Sequence, residues 1–357
     1  MERILKMRVL FDIVHPAQVH FFKNAIRLLK KRGARVLVTS RKKDVALDLL
    51  NALGIEHIVI SQKRSSLVGM AGELMARDIR LWGIARRFRP DVMVARVGIS
   101  VGTVGALLRI PTVVYDDMEH ARLQAAIGMT FATYICTGLG YYRDFGKRQV
   151  RFRGSPVLSY LHPDYFQPDP QPLRRAGLDP DQPYLFFRTV SWGATHDVGR
   201  RGTSREELHR AIEILSPFGR IVISSEDHLP ESLKPHANPV PVEAMHHLLA
   251  FARLCLVEGG TMAAEAAVLG VPALCRNTYD FGYLRALENE YGLIFRPESM
   301  DETLEIAQRL LRQPDLRDTW RAKQQKMLAE SDDVAQFMLD MIDRAAREHP
   351  VRQRYQP

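Results

Sequence analysis

The sequence is poor in the features that mark several protein classes. It holds three cysteines in 357 residues, and Cys136, Cys255 and Cys275 stand far apart among apolar neighbours. Odd in number and unclustered, they frame neither a disulfide scaffold nor a zinc site and read as reduced core residues of a cytosolic protein. No uncharged apolar run reaches the ~18 residues that span a bilayer. The longest candidates, Val97–Leu108 and Leu248–Val257, fall short, and the second contains Arg253. The charged opening Met1–Arg8 leads straight into a strand pattern and has no signal-peptide apolar region. Aromatic residues make up 8%, and no basic stripe interleaved with them marks a nucleic-acid surface.

Acidic residues are scarce in one half only. Residues 1–158 carry 27 Lys+Arg against 12 Asp+Glu, a net +15, whereas residues 159–357 carry 23 against 29, a net −6. Such asymmetry implies an anionic partner for the first half: nucleic acid, an anionic membrane surface or an anionic substrate. Within it, Leu67–Phe88 places Arg77, Arg80, Arg86 and Arg87 among Met70, Leu74, Ile79 and Trp82. That basic amphipathic segment is either a membrane-surface helix or an ordinary helix with a basic polar face.

What is present is strand–helix alternation with glycine stops, the pattern of doubly wound α/β domains. The length favours two of them. A strand at Arg8–Val14 is followed by a loop, His15–His20, and a helix from Phe21 to Lys31. A cluster of prolines, from Pro163 to Pro172, is the best linker candidate. After it the alternation restarts. The expectation is two tandem Rossmann-like domains facing a cleft: residues 1–158, strongly basic; a linker, 159–175; residues 176–330; and a C-terminal helix and tail, 331–357, packing back on the first domain.

Two stretches carry chemistry. In the second half, the apolar run Leu254–Val257 ends in Glu258-Gly259-Gly260-Thr261, a helix follows, Gly270 stops it and Val271–Leu274 begins a second run. Paired glycines admit close approach of a ligand, Thr261 suits an N-cap, and a helix N-terminus attracts phosphate. Glu265, one turn on, can accept two hydroxyl hydrogen bonds. Diphosphate at the turn and ribose at the carboxylate together point to a nucleotide-sugar. In the first half, the strand Pro111–Tyr115 ends at Asp116-Asp117-Met118-Glu119-His120, where α/β proteins place ligands.

The sequence resembles a GT-B-like prokaryotic family related to MurG-type glycosyltransferases and non-hydrolysing UDP-N-acetylglucosamine 2-epimerases. The likeness runs from about Met7 to Asp343 and rests on Asp12–Lys23, Tyr115–Ala121, Trp192–Asp197 and Gly259–Pro272. It implies that Gly259, Gly260 and Thr261 hold a donor diphosphate and that Glu265 binds its ribose. Backbone near Val240–Val242 would read the base, uracil in most relatives, with Arg188, Ser191, Trp192 and His196 completing the donor set. Arg188 and helix amides would stabilise the departing diphosphate. The family's first-loop histidine falls on Gln18 here, which cannot act as a base. His15 and His20 are nearby substitutes, with Asp117, Glu119 and His120 as the alternative. Ser155-Pro156 also departs from the usual Lys-Glu, and the epimerases' Gly-Thr-Arg-Pro-Glu loop is absent.

These residues lead to the expectation of a metal-independent glycosyltransferase, with no Asp-x-Asp motif at a donor strand end and no cofactor. It would move a sugar from a UDP-linked donor to a cell-surface glycan or lipid-linked acceptor. The expected location is cytoplasmic, with peripheral association at the inner face of an anionic membrane through the basic domain. A sugar-nucleotide 2-epimerase, and a non-catalytic nucleotide-sugar or nucleic-acid binder, are the alternatives.

Overall fold

The computed structural model describes residues 7–43, 45–62, 66–117, 119, 128–189, 203–225, 228–276 and 281–351. In chain order the elements begin β1 (Arg8–Ile13), α1 (Pro16–Lys31), β2 (Arg35–Lys42), α2 (Ala46–Ala52), β3 (Ile58–Gln62), α3 (Leu67–Phe88), β4 (Val92–Arg96), α4 (Ile99–Leu108), β5 (Thr112–Asp116), β6 (Tyr134–Gly138), β7 (Gln149–Phe152) and α5 (Leu158–Leu161). They continue with α6 (Gln171–Arg175), β8 (Tyr184–Thr189), α7 (Arg205–Leu215), β9 (Arg220–Ser225), α8 (Met245–Phe251), β10 (Leu254–Val257), α9 (Gly260–Val268), β11 (Ala273–Cys275), α10 (Gly282–Asn289), β12 (Ile294–Phe295), α11 (Met300–Leu311), α12 (Leu316–Ala329) and α13 (Val334–Glu348). The chain divides into two units, one of residues 1–160 and 332–357, the other of residues 161–331.

In the first unit the described strands form a parallel sheet ordered β3-β2-β1-β4-β5-β6-β7. Its order reverses between β1 and β4, and ligands of open α/β sheets bind outside the carboxyl ends at such a switch. β1, β4, β5 and β6 are buried nearly throughout because both sheet faces are covered, which explains their continuous apolar runs. Helix α4 lies unusually close to the sheet. A Cβ on Gly98 would come within 2.4 Å of the Ala95 Cβ, and one on Gly105 within 2.3 Å of Thr112 Cγ2. Helix α13 packs on α1, β4 and β5. Asp333 caps its start by accepting from the Gln336 N–H at 2.9 Å, and Tyr134 donates to Glu348 at its end.

The second unit holds a parallel sheet ordered β12-β11-β10-β8-β9, reversing between β8 and β10. Cys136, Cys255 and Cys275 are free, buried thiols in the strands. Residues 159–175, expected as a linker, carry packed structure. Ser159 accepts from Asn24 Nδ2 at 2.9 Å in the first unit. In the second unit Phe166 lies 4.9 Å from the His247 ring, the Asp169 N–H donates to His247 Nδ1 at 2.9 Å, and Leu173 is fully buried.

Two local expectations are corrected. Residues 16–20 are not a loop: α1 begins at Pro16, with His15 as N-cap. Proline at the first helical position loses no hydrogen bond and has φ preset for the helix. Helix α3 has the expected span, but its arginines do not form one basic face. Arg77 is buried in an ion pair and Arg80 donates to the Ile60 carbonyl at 2.6 Å, leaving Arg86 and Arg87 exposed at the helix end.

Candidate functional site

In the second unit the carboxyl ends of β8, β10 and β11 bring Arg188, Glu258-Gly259 and Arg276 side by side, since Val257 pairs with both Arg188 and Cys275. The N-cap of α9 is Gly259, not Thr261, which sits one position inside the helix and is exposed. Gly259 is extended, with φ −97° and ψ 125°, and as a glycine it supplies no side-chain cap of its own. The start of α9 lies at the carboxyl edge of the sheet, the position at which helix N-termini bind anions. The two glycines have different causes. Among the described residues a Cβ on Gly259 would meet nothing within 4 Å, whereas one on Gly260 would lie 2.9 Å from Leu284 Cδ1 and 3.3 Å from the Phe281 ring. Gly260 lets α10 approach, and Gly259 leaves the described surroundings of the turn without a side chain at that point.

Around this turn the polar groups are ordered. The buried Glu258 carboxylate accepts from the Thr203 N–H and hydroxyl at 2.5 and 2.6 Å. Arg276 donates to Thr203 Oγ1 at 3.2 Å and pairs with Glu207 at 3.3 Å, and Arg188 donates to Ser224 at 2.8 Å. Glu207 also completes a capping box with Ser204 at the start of α7. Glu265, on α9, is buried, with its Oε1 3.1 Å from Nε2 of the equally buried His246 on α8. Val242, one helical turn before His246, is 57% exposed.

In the first unit the carboxyl edge is dominated by paired groups. Gln18 is buried and braces the switch point: its Oε1 accepts from the Val14 N–H at 2.8 Å after β1, and its Nε2 donates to the Arg96 carbonyl at 3.3 Å at the end of β4. The His15 Nδ1 accepts from the Ala17 N–H at 3.2 Å, so its lone pair there is engaged in capping α1. His20 lies a turn further along, its ring 5.6 Å from Tyr160. Arg96 grips Asp117 with two donors, Nε reaching Oδ1 at 2.9 Å, and its guanidinium lies 5.0 Å over the Phe21 ring. Asp116 accepts from the Tyr141 hydroxyl. Burial and the Asp116 charge push that phenol well above its ordinary range. Glu119 is buried beyond the strand end.

The edge of β1–β3 holds a further ion pair. The Arg77 guanidinium donates to both Asp12 oxygens at 2.5 and 2.6 Å and to Ser61 Oγ at 3.1 Å, while Thr39 Oγ1 donates to Asp12 at 2.7 Å. Both ionic side chains are almost wholly buried.

Of the expected site residues, then, Arg188, Val242, Gly259, Gly260, Thr261 and Glu265 occur in the second unit, and His15, His20, Asp117 and Glu119 in the first. His120, Ser191, Trp192 and His196 lie outside the described residues. Sequence reasoning did not single out Arg96, Tyr141, His246 or Arg276. Arg96 and Arg276 had a usable signal, since each ends or follows an apolar strand run. His246 had none, because its partner is 19 residues away. Among the described residues no group of His, Cys, Asp and Glu is arranged to hold a metal ion, and no helix is long and apolar enough to cross a membrane.

The chain belongs to the family described as "Protein of unknown function (DUF354)", whose model matches residues 7–347. It is similar to the uncharacterized protein MJ0665 of Methanocaldococcus jannaschii, with 23% identity over 284 residues, covering 76% of this chain and 82% of that protein. Among solved structures it resembles UDP-GlcNAc 2-epimerase from Neisseria meningitidis bound to UDP-GlcNAc, at a TM-score of 0.68 and 13% identity, covering 95% of this chain and 100% of the other. It also resembles the spinosyn forosaminyltransferase SpnP, at a TM-score of 0.62 and 15% identity, covering 95% and 100%. The fold is thus that of the GT-B proteins, and the family is related in fold to both epimerases and glycosyltransferases.

Proposed function

We propose that this member of the family is a metal-independent glycosyltransferase that moves a sugar from a UDP-linked donor to a glycan or lipid-linked acceptor hydroxyl. The observation that carries the reading is the glycine start of α9 at the switch point of the second sheet, where among the described residues a Cβ on Gly259 would meet nothing within 4 Å. In this reading the amides of Gly260 and Thr261 bind the diphosphate, Glu265 the ribose, and backbone at Val242 the base. Arg188 balances charge on the leaving group. Ser191, Trp192 and His196 complete the donor set. The acceptor oxygen forms a bond to the anomeric carbon as the bond to the diphosphate breaks, and the acceptor's proton passes to a base of the first unit. His15 is disfavoured for that role because its Nδ1 lone pair caps α1. The strand end carrying Asp117, Glu119 and His120 is the stronger candidate, with His20 next.

The acceptor in this reading is presented at a cytoplasmic anionic membrane surface. Support comes from the outward side of α3, where Met75 is 69% and Ile79 63% exposed, with Arg86 and Arg87 exposed at the helix end. The deciding experiment is calorimetric titration with UDP and UDP-sugars, repeated on Glu265→Ala. UDP binding that the variant loses is expected, and no nucleotide binding at all would overturn the reading. Incubation of UDP-GlcNAc alone separates the runner-up, since its conversion to a second sugar nucleotide would identify a 2-epimerase. Flotation with anionic and neutral vesicles at low and high salt tests the surface, and equal failure to bind both would remove the membrane from the proposal.

A further inference from the structure

We propose that His246 is a positioning residue of the nucleoside site, which holds the Glu265 carboxylate in the orientation and ionised state that recognise a ribose diol. The inference rests on the UDP-sugar reading above. Glu265 and His246 are each 7% exposed, and the two side chains meet at 3.1 Å. An ionised carboxylate only accepts hydrogen bonds, so the proposal requires the His246 tautomer with its proton on Nε2, from which the imidazole donates. A carboxylate offers about four acceptor positions, and this bond occupies one on Oε1. Fixing that oxygen restricts rotation of the whole group. Burial alone would favour the protonated acid, whose hydroxyl cannot accept from two ribose hydroxyls as the carboxylate does. A donor against Oε1 opposes that tendency.

The setting of His246 strengthens the assignment. It lies in the first turn of α8, one helical turn after the exposed Val242, while Glu265 lies on α9, which starts at Gly260. The Phe166 ring stands edge-on, 6.0 Å from the imidazole at 80°, and restricts its rotation. The His246–Glu265 bond therefore connects the helix that follows the base-reading segment to the helix that begins at the diphosphate turn. Changing His246 should alter recognition of the sugar between them more than phosphate binding.

The test is the ratio of dissociation constants for UDP and 2′,3′-dideoxy-UDP, measured by calorimetry on the full chain. The wild type should prefer UDP by tenfold or more, about what one charge-assisted hydrogen bond contributes. Glu265→Gln and His246→Leu should each reduce that preference to below about threefold while retaining most affinity for the dideoxy analogue. His246→Gln, whose amide can donate from nearly the same position, should keep it. His246→Asn, too short to reach Glu265, should lose it, and covers the case in which the leucine variant fails to fold. A purely structural histidine would lower melting temperature in all three His246 variants without moving the ratio, and that result would overturn the proposal. A wild type that does not distinguish the two nucleotides would refute the ribose reading itself. A ratio lost in Glu265→Gln but intact in His246→Leu would refute only the role of His246.

Discussion

The paired glycines at the start of α9 allow fold and ligand to be separated by two substitutions at adjacent positions. At Gly259 the backbone is extended and no described residue lies within 4 Å of an added Cβ, so Gly259→Val fits both conformation and space. Its stability cost is that of an altered N-cap, about 1 kcal/mol or less. The new side chain, however, stands in the space the diphosphate would fill. Charge-assisted hydrogen bonds to the helix amides contribute about 1.5–3 kcal/mol each, so losing one weakens UDP roughly tenfold to more than a hundredfold. Gly260→Ala should behave the opposite way. Its methyl would press on Leu284 at 2.9 Å and on Phe281 at 3.3 Å. Overpacking of that kind costs about 1–3 kcal/mol. For a domain of this size each kcal/mol lowers the melting temperature by roughly 2–4 °C. The α9 amides stay open, so UDP affinity should remain within about threefold of wild type at a temperature where both proteins are folded. Thermal unfolding and UDP titration on the same preparations give both numbers. If Gly260→Ala loses UDP at unchanged stability, or Gly259→Val binds UDP as the wild type does, the glycine turn is not the phosphate cradle.

Three further outcomes follow from the first unit and the core. Arg77→Met strands a buried Asp12 carboxylate and should destabilise the first unit by about 3–5 kcal/mol in urea unfolding, with the double variant Asp12→Leu/Arg77→Met recovering most of it; a single-variant loss below about 1 kcal/mol would show the pair to be solvated. Gln18→Leu leaves the Val14 N–H and the Arg96 carbonyl without its bonds, and should cost about 1–3 kcal/mol per orphaned group while leaving UDP affinity unchanged. Tyr115, Tyr141 and Tyr184 are pushed above the ordinary phenol value of 10.0, burial being the first cause in each. A group whose folded pKa is raised contributes stability that is complete below the unfolded value and lost as pH rises beyond it. Stability should therefore fall above about pH 10, and these three phenols should ionise only with unfolding in a spectrophotometric titration. Ionisation of all eleven tyrosines in one reversible step near pH 10, with the fold intact, would contradict this.

The unit β10–α9–β11 was legible because each of its signals is local: an apolar run, glycines, a helical pattern of small residues, and Gly270 in the left-handed region at φ +74° to stop the helix. The spans of α3 and α13 were legible for the same reason. The start of α1 was missed because His15-Pro16-Ala17-Gln18 looks like punctuation. Only proline's tolerance of the first helical turn reveals it as a beginning. The fate of charged side chains was not legible at all. Arg77 resembles Arg86 in sequence context, yet one meets Asp12 across 65 residues and the other is exposed and lies 4.8 Å from Trp82. Which arginine turns inward depends on where β1 passes beneath α3, and no local pattern records that.

This difference changes what the basic half of the chain implies. Arg80, Arg148 and Arg151 donate to backbone carbonyls: Arg148 to three, at 129, 130 and 132, and Arg151 to those of residues 139, 141 and 143. Their positive charge still contributes to the field that attracts an anion. The N–H groups that make these bonds hold the turns of the chain, so a bound phosphate would use the other donors of these side chains. In the glycosyltransferase reading, an anionic acceptor would also meet Arg86 and Arg87, which are exposed at the end of α3 beside an apolar outward side. The same reasoning applies to proton transfer. Gln18 braces β1 to β4, His15 caps α1 and Arg96 grips Asp117, so three of the groups nearest the switch point already have structural work. In the glycosyltransferase reading, proton transfer at that edge would require either a side chain beyond the end of β5 or the opening of one of these pairs as an acceptor binds. The Arg96–Asp117 pair is the one whose opening would release a base.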